Sequence, residues 1–205
     1  MSDPILSKHD APETTRGLIL MFHGGKDRSK EDVDGRSLSW KRSLAMQRSI
    51  APAAHEDDLS VWLLRYRQRG WNGGRDRIAD ARWALDQVRS EHPGVPITLL
   101  GHSMGARVAV HVADDPQVRG VVGLAPWLPG GESIDALAGR DLVVAHGRRD
   151  RITSFKATAA YVERARTVAS SAEMHDMGPV GHYMLKGSAA WNAVALSASL
   201  GVLTD

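Results

Sequence analysis

Gly101-His102-Ser103-Met104-Gly105 follows the apolar run Pro96-Ile97-Thr98-Leu99-Leu100 and precedes Ala106-Arg107-Val108-Ala109-Val110-His111-Val112-Ala113. Read in order, this is strand, tight turn, helix, the context that gives a G-x-S-x-G stretch chemical meaning. Small residues two before and two after Ser103 let strand and helix approach closely. The hydroxyl then stands clear of the sheet, where a base can reach it. The Met104 amide, at the start of the helix, points to where an oxyanion would form.

The flanking chain repeats the strand–helix alternation. Gly17-Leu18-Ile19-Leu20-Met21-Phe22 is an apolar run ending in His23-Gly24-Gly25, as for a strand buried on both faces. Residues 26–35 read as loop. A helix is expected from Arg36 to about Ala51, ended by Pro52. Leu59 to Tyr66 is the next strand, and the glycine-rich basic stretch Arg67 to Gly74 a loop. Asp76 is placed to cap a helix reaching about Ser90, with Ile78, Ala81, Leu85 and Val88 on one face. Further strands are expected at Val118–Leu124, Asp141–His146 and Ser171–Met174, and helices at Ser154–Arg166 and Lys186–Leu200. Such alternation implies parallel β-α-β units with right-handed crossovers in a sheet covered by helices on both sides. Residues 1–16 read as a frayed polar lead-in and 17–205 as one domain.

The 205 residues suffice for one domain with a real core, and 42% hydrophobic against 24% charged residues excludes a disordered chain. The absence of cysteine rules out disulfides and thiolate chemistry. Neither a signal peptide nor a membrane span is read in the sequence, so a cytoplasmic protein is the expectation. A formal charge of only +2 does not point to nucleic acid. No H-E-x-x-H spacing, G-x-G-x-x-G or P-loop lysine is present, so neither metal nor nucleotide cofactor is expected.

A serine hydroxyl needs a base, and the base an orienting acid. Both follow Ser103 at the ends of later strands. Asp150 closes His146-Gly147-Arg148-Arg149-Asp150, and His182 lies in Gly181-His182-Tyr183, near Gly178-Pro179. All three fall at carboxyl ends of strands, where open α/β sheets place their sites. Glu132 and Asp135 are rivals for the acid, His175 for the base. Asp150 has a second reading, as the cap of the helix near Ser154.

His23-Gly24-Gly25, the Ser103 stretch, the Asp150 stretch and Gly181-His182 together resemble the α/β-hydrolases, in particular small lidless esterases and dienelactone-hydrolase-like members. The resemblance runs from Gly17 onward. It implies a mostly parallel sheet of about six strands and no cap domain. It implies Ser103 as nucleophile, His182 as general base then acid, Asp150 as orienting carboxylate, and an oxyanion hole from the Gly25 and Met104 amides. His23 is expected to hold the oxyanion loop rather than act on substrate.

The expected function is hydrolysis of a small ester or thioester without a cofactor. Alternatives are a lactone or dienelactone hydrolase, an amidase, or a non-catalytic ligand-binding module. Trp71, Trp127 and Leu128 are candidates for an apolar substrate wall. Lacking a cap between Leu124 and Asp141, the site is expected to be an open cleft for short acyl chains. Arg65, Arg67, Arg69, Arg75 and Arg77 form either a solvated rim or, if they face the mouth, a site for an anionic substrate.

Overall fold

The order of strands in the sheet explains why so much of this chain is apolar. In a computed structural model describing residues 3–204, thirteen elements follow one another. They are β1 (Ile5–His9), β2 (Gly17–Phe22), α1 (Leu38–Glu56), β3 (Leu59–Arg65), α2 (Arg75–Glu91), β4 (Ile97–His102), α3 (Met104–Val112), β5 (Val118–Leu124), a 3-10 turn (Asp135–Leu137), β6 (Asp141–His146), α4 (Phe155–Ala165), β7 (Ser171–Asp176) and α5 (Ser188–Thr204). The sheet runs β1-β3-β2-β4-β5-β6-β7. Every pairing is parallel except β1 with β3. Every residue of the central strands β2 and β4 is buried, which requires helices on both faces. Helices α1 and α5 pack together, as do α2 and α3.

Three departures from the sequence reading have physical causes. The sheet has seven strands rather than about six, because Ile5–His9 pairs with Arg65–Val61 at the edge. This strand carries Ser7, Lys8 and His9 and is only partly buried, so it lacks the apolar run that marks the interior strands. Residues 5–9 thus belong to the sheet and are not a frayed lead-in.

Pro52 does not end α1 but lies within it. Its ring is exposed, and so is Arg48, whose carbonyl loses the helical N–H and is left to water. Ala51 and Ala54 on the opposite face are buried and hold the last turns down. Finally, α2 is preceded by Gly74 at φ 87°, and Asp76 lies inside its first turn rather than at the cap.

The order of the sheet places β4 between β2 and β5. The loops after β2, β4, β5 and β6 therefore emerge side by side at one edge. Ser103, His23-Gly24-Gly25 and Asp150 are all carried there.

Candidate active site

Ser103 sits between β4 and α3 with φ 54° and ψ −116°. For a residue with a Cβ this backbone is strained, typically by about 1–3 kcal/mol, and must be held by its surroundings. Four backbone bonds hold it. Its N–H donates to the Leu124 carbonyl at 3.0 Å, and its own carbonyl accepts from Ala106, Arg107 and Trp127 at 3.2, 3.4 and 3.1 Å. The flanking glycines are required by contact. A Cβ on Gly101 would lie 2.3 Å from the Ala106 nitrogen, and one on Gly105 would lie 2.1 Å from the Phe22 carbonyl. The turn is tight because β4 and α3 almost touch.

The structure brings Ser103, His182 and Asp150 together. Ser103 Oγ lies 3.0 Å from His182 Nε2, and His182 Nδ1 lies 2.8 Å from Asp150 Oδ2. A ring protonated at Nδ1 donates to the carboxylate and leaves Nε2 free to accept from the serine hydroxyl. Burial of the Asp150 side chain favours the neutral acid, yet the carboxyl is held well below the usual carboxylate range. Hydrogen bonds from His146 and His182, and from the amides of Thr153 and Ile152, outweigh burial. Asp150 therefore uses its two oxygens on different partners, and it is not the cap of α4. Oδ1 accepts from the Ile152 and Thr153 amides at 2.8 and 2.9 Å and fixes the turn into α4, while Oδ2 faces the rings. The cap of α4 itself is Ser154, whose Oγ accepts from Ala157.

The rivals lie elsewhere. Glu132 is paired with Arg107 and with His111. Asp135 accepts from the Ser133 hydroxyl in the 3-10 turn. His175 is an exposed residue of β7, the edge strand beside β6.

On the other side of Ser103, Met104 opens α3, so its N–H has no carbonyl one turn earlier to bond. Gly25 packs against it closely enough that a Cβ would lie 2.5 Å from Met104 Cε. Both glycines of the His23-Gly24-Gly25 loop line the cleft that contains Ser103. His23 is fully buried and touches no reacting atom. Its Nδ1–H donates to the Gly24 carbonyl at 2.6 Å, and Nε2 accepts from the Tyr66 amide at 3.4 Å. Burial is the main reason its pKa is pushed down to about 4.

The cleft at Ser103 encloses about 250 Å³. Its outer walls are Leu38, Ser39 and Arg42 from the first turns of α1, with Tyr183 and Leu185 from the loop after His182. Trp71, Trp127 and Leu128 are not among its lining residues. The two tryptophans, edge to face with each other, instead both contact the Arg107 guanidinium, which lies 4.2 and 4.5 Å from their ring centres. Arg107 is one turn into α3 and pairs with Glu132, so these aromatic rings are used up in fixing the loops behind the nucleophile. Among the described residues, no group of three or more His, Asp or Glu is placed to hold a metal ion. No helix among them is long and apolar enough to cross a membrane.

Known proteins match this arrangement mainly by shape. Residues 65–140 match the family model of the S33 serine aminopeptidases. The apo form of esterase 2 from Thermogutta terrifontis superposes with a TM-score of 0.75 at 16% identity, covering 100% of this chain and 92% of that one. An α/β serine hydrolase homologue from Coxiella burnetii gives 0.74 at 16% identity, covering 95% and 91%. A lidless α/β serine hydrolase from Xanthomonas campestris gives 0.72 at 17% identity, covering 98% and 90%. No curated protein matches. The fold is that of the α/β-hydrolases.

Within this α/β-hydrolase fold, three site features had escaped the sequence reading. His146, fully buried, reaches Asp150 Oδ2 at 3.1 Å through Nε2, while Nδ1 meets the Thr158 hydroxyl at 2.9 Å. Thr153 donates its hydroxyl to the same carboxylate oxygen at 2.8 Å. His102, between Gly101 and Ser103, bonds the His182 carbonyl through Nε2 at 3.2 Å and so holds the base's backbone. His146 had stood in plain sight, four residues before the acid. Strand periodicity could place it at the end of β6, but not say that its ring turns back toward Asp150.

Proposed function

We propose that this protein is a serine hydrolase that cleaves a small ester or thioester through an acyl-enzyme on Ser103. The observation that carries the reading is the unbroken relay from Ser103 Oγ through both ring nitrogens of His182 to Asp150 Oδ2. Ser103 Oγ attacks the substrate carbonyl as its proton passes to His182 Nε2. The new oxyanion is received by the N–H groups of Met104 and Gly25. Collapse breaks the ester C–O bond, and the proton on Nε2 leaves with the alcohol. Water then attacks the acyl-serine, giving its proton to Nε2. Collapse releases the acid and returns the proton to Ser103. Asp150 accepts no proton; it fixes the ring and stabilises the imidazolium. No step calls for a cofactor.

Several facts support the reading beside the geometry. Thermogutta terrifontis esterase 2, of the same fold, has been seen with butyrate bound and phosphonylated by cyclosarin. A small-molecule substrate fits the size of the cleft. The decisive experiment is a fluorophosphonate label followed by peptide mass spectrometry, with turnover of a panel of methyl and p-nitrophenyl esters. Label on Ser103, lost in Ser103→Ala, together with ester turnover, is the expected result. An unlabelled, folded protein that turns over no ester contradicts it. The S33 match favours one second reading, removal of an N-terminal amino acid. Turnover of aminoacyl p-nitroanilides exceeding that of the esters would select it.

A further inference from the structure

None of the five arginines singled out in the sequence lines the Ser103 cleft, and three of them are paired with carboxylates. Arg67 is bound to Asp80 at 2.6 Å, and Arg69 to Glu31 and Asp34 at 3.0 and 2.8 Å. Arg77 is buried beside Asp80 and the Gln68 carbonyl. Arg65 lies over the Trp40 ring.

Arg42 differs from all of these in its place at the cleft. It is half-buried in the wall of the Ser103 cleft and makes no ion pair or hydrogen bond among the described residues. Its Nε is buried without a partner. Its guanidinium stands 5.1 Å from the centre of the Tyr183 ring. Burial without an anion lowers its pKa from the ordinary value, with Tyr183 opposing.

Arg42 also lines a second cavity of about 460 Å³, which shares Leu38 and Leu185 with the first. Beyond them, Ala45, Met46, Met184 and Trp191 make this outer cavity apolar. Lys41 lines it too and has no carboxylate partner among the described residues. Trp191 is almost wholly buried, and its Nε1–H has no acceptor. No aspartate or glutamate lines either cavity. Buried donors without acceptors are costly and rare, and call for an explanation. Here the Arg42 guanidinium, half-buried and without an anion, stands with a lysine in the wall of one apolar space that adjoins Ser103.

We propose that the substrate is an ester bearing a carboxylate, with the ester carbonyl at Ser103, the carboxylate taken by the Arg42 guanidinium with Lys41 beside it, and the hydrocarbon between them lying against Leu38 and Leu185. This rests on the serine-hydrolase reading and names its substrate class. It differs from the expectation of an open cleft favouring short acyl chains, because the outer cavity extends the cleft. A guanidinium meets a carboxylate with paired donors in a fixed plane, so the preference depends on arginine and not on charge alone.

The test measures kcat/KM by pH-stat for monomethyl esters of straight-chain dicarboxylic acids from succinate to suberate, each against the neutral methyl ester of the same length. A second pair, 3-(butanoyloxy)propanoate against propyl butanoate, carries the anion on the alcohol side. At least one anionic ester should exceed its neutral counterpart by about tenfold or more, the weight of one charge-assisted hydrogen bond. Arg42→Gln should cancel that ratio, and Arg42→Lys should restore only part of it. Wild-type preference for every neutral ester, or a ratio unmoved by Arg42→Gln, overturns the inference while leaving the hydrolase reading intact. If no ester is turned over, the hydrolase reading fails by itself. Tryptophan fluorescence titrated with the free dicarboxylates then reads the site directly. Binding weakened about tenfold by Arg42→Gln supports the anion site. No binding, or binding that Arg42→Gln leaves unchanged, overturns it.

Discussion

Two buried carboxylates follow adjacent strands, and both are bound to a histidine. Glu132, in the loop after β5, lies 2.7 Å from His111 Nε2, and Asp150, after β6, lies 2.8 Å from His182 Nδ1. Both are held below the ordinary carboxylate range against the opposing effect of burial, Glu132 by His111 and Arg107, Asp150 by His146 and His182. By burial and charge they are alike. They differ in what the histidine meets on its other side. His182 presents Nε2 to the Ser103 hydroxyl at 3.0 Å. The His111 ring lies beside Trp71, at 5.6 Å between centres, and no hydroxyl is bonded to it among the described residues. One acid holds a ring that faces a serine hydroxyl; the other pairs with a guanidinium that two indoles contact. A carboxylate–histidine pair is thus a candidate for catalysis only when a third group completes it.

The sharpest way to break this comparison is to remove each member in turn. Ser103→Ala and His182→Ala should each lower kcat by about 10⁴ to 10⁶, and the double mutant should be little worse than either, because the groups act as a unit. Asp150→Ala should cost less, on the order of 10⁴, since it takes no proton. Glu132→Gln should leave kcat within about twofold, as surface and structural changes away from the chemistry do. Steady-state kinetics on one ester decide it. Equal losses for Asp150→Ala and Glu132→Gln would mean that the second cluster also serves the reaction.

His146 makes the contrast finer. It gives Asp150 a second imidazole, on the side away from the nucleophile. Losing one hydrogen bond to a charged group costs about 1.5 to 3 kcal/mol, so His146→Leu should lower kcat/KM by about tenfold to a hundredfold. His146→Gln, which can still donate to the carboxylate, should recover part of the loss. Recovery absent from a folded Gln variant would assign His146 to packing against Phe155 alone.

The parts of this molecule that could be read from sequence are those where local chemistry suffices. Gly101 and Gly105 announce a close approach that the backbone needs wherever the turn occurs. The apolar runs of β2 and β4 announce burial on both faces. Loop positions after β6 and β7 were enough to nominate Asp150 and His182. What could not be read depends on the partner across space. Edge strand β1 has no apolar run because one side of it meets water. Trp71 and Trp127 look like a substrate wall until Arg107 is placed between them. Arg42 is one of many arginines until the lining of the cleft is known. Its place on α1 faces the cleft only because Ser43, Met46, Gln47 and Ile50 bury the neighbouring face against the sheet.

The second cluster should show itself in stability. Glu132→Gln leaves the Arg107 guanidinium without its counter-charge in a nearly buried setting, where an unmatched charged group costs about 1 to 3 kcal/mol or more. Urea unfolding should register that loss while the kcat of the folded enzyme holds. A stable Glu132→Gln variant would show that the Trp71 and Trp127 rings alone retain Arg107.

The smallest effect separates the two regions by proton. His102, beside Ser103, is buried; that burial, with His182 nearby, pushes its pKa down to about 3. His23 is pushed down to about 4 by burial. In the unfolded chain each titrates near about 6.5. Between the unfolded and folded values the unfolded state holds one more proton per histidine, so stability falls as pH falls through that window. Each contributes a slope of about 1.4 kcal/mol per pH unit. Asp150 has its folded pKa lowered, so its stabilisation is present above about pH 3.9 and is lost only below it, leaving the window from about 6 to 4 to the histidines. His102→Gln keeps a donor for the His182 carbonyl and removes the titrating group. Urea midpoints measured at steps between pH 6.5 and 4.5 should therefore fall less steeply in His102→Gln, by about 1.4 kcal/mol per pH unit. Parallel curves for wild type and variant would mean that water reaches His102 and lets it charge in the folded state.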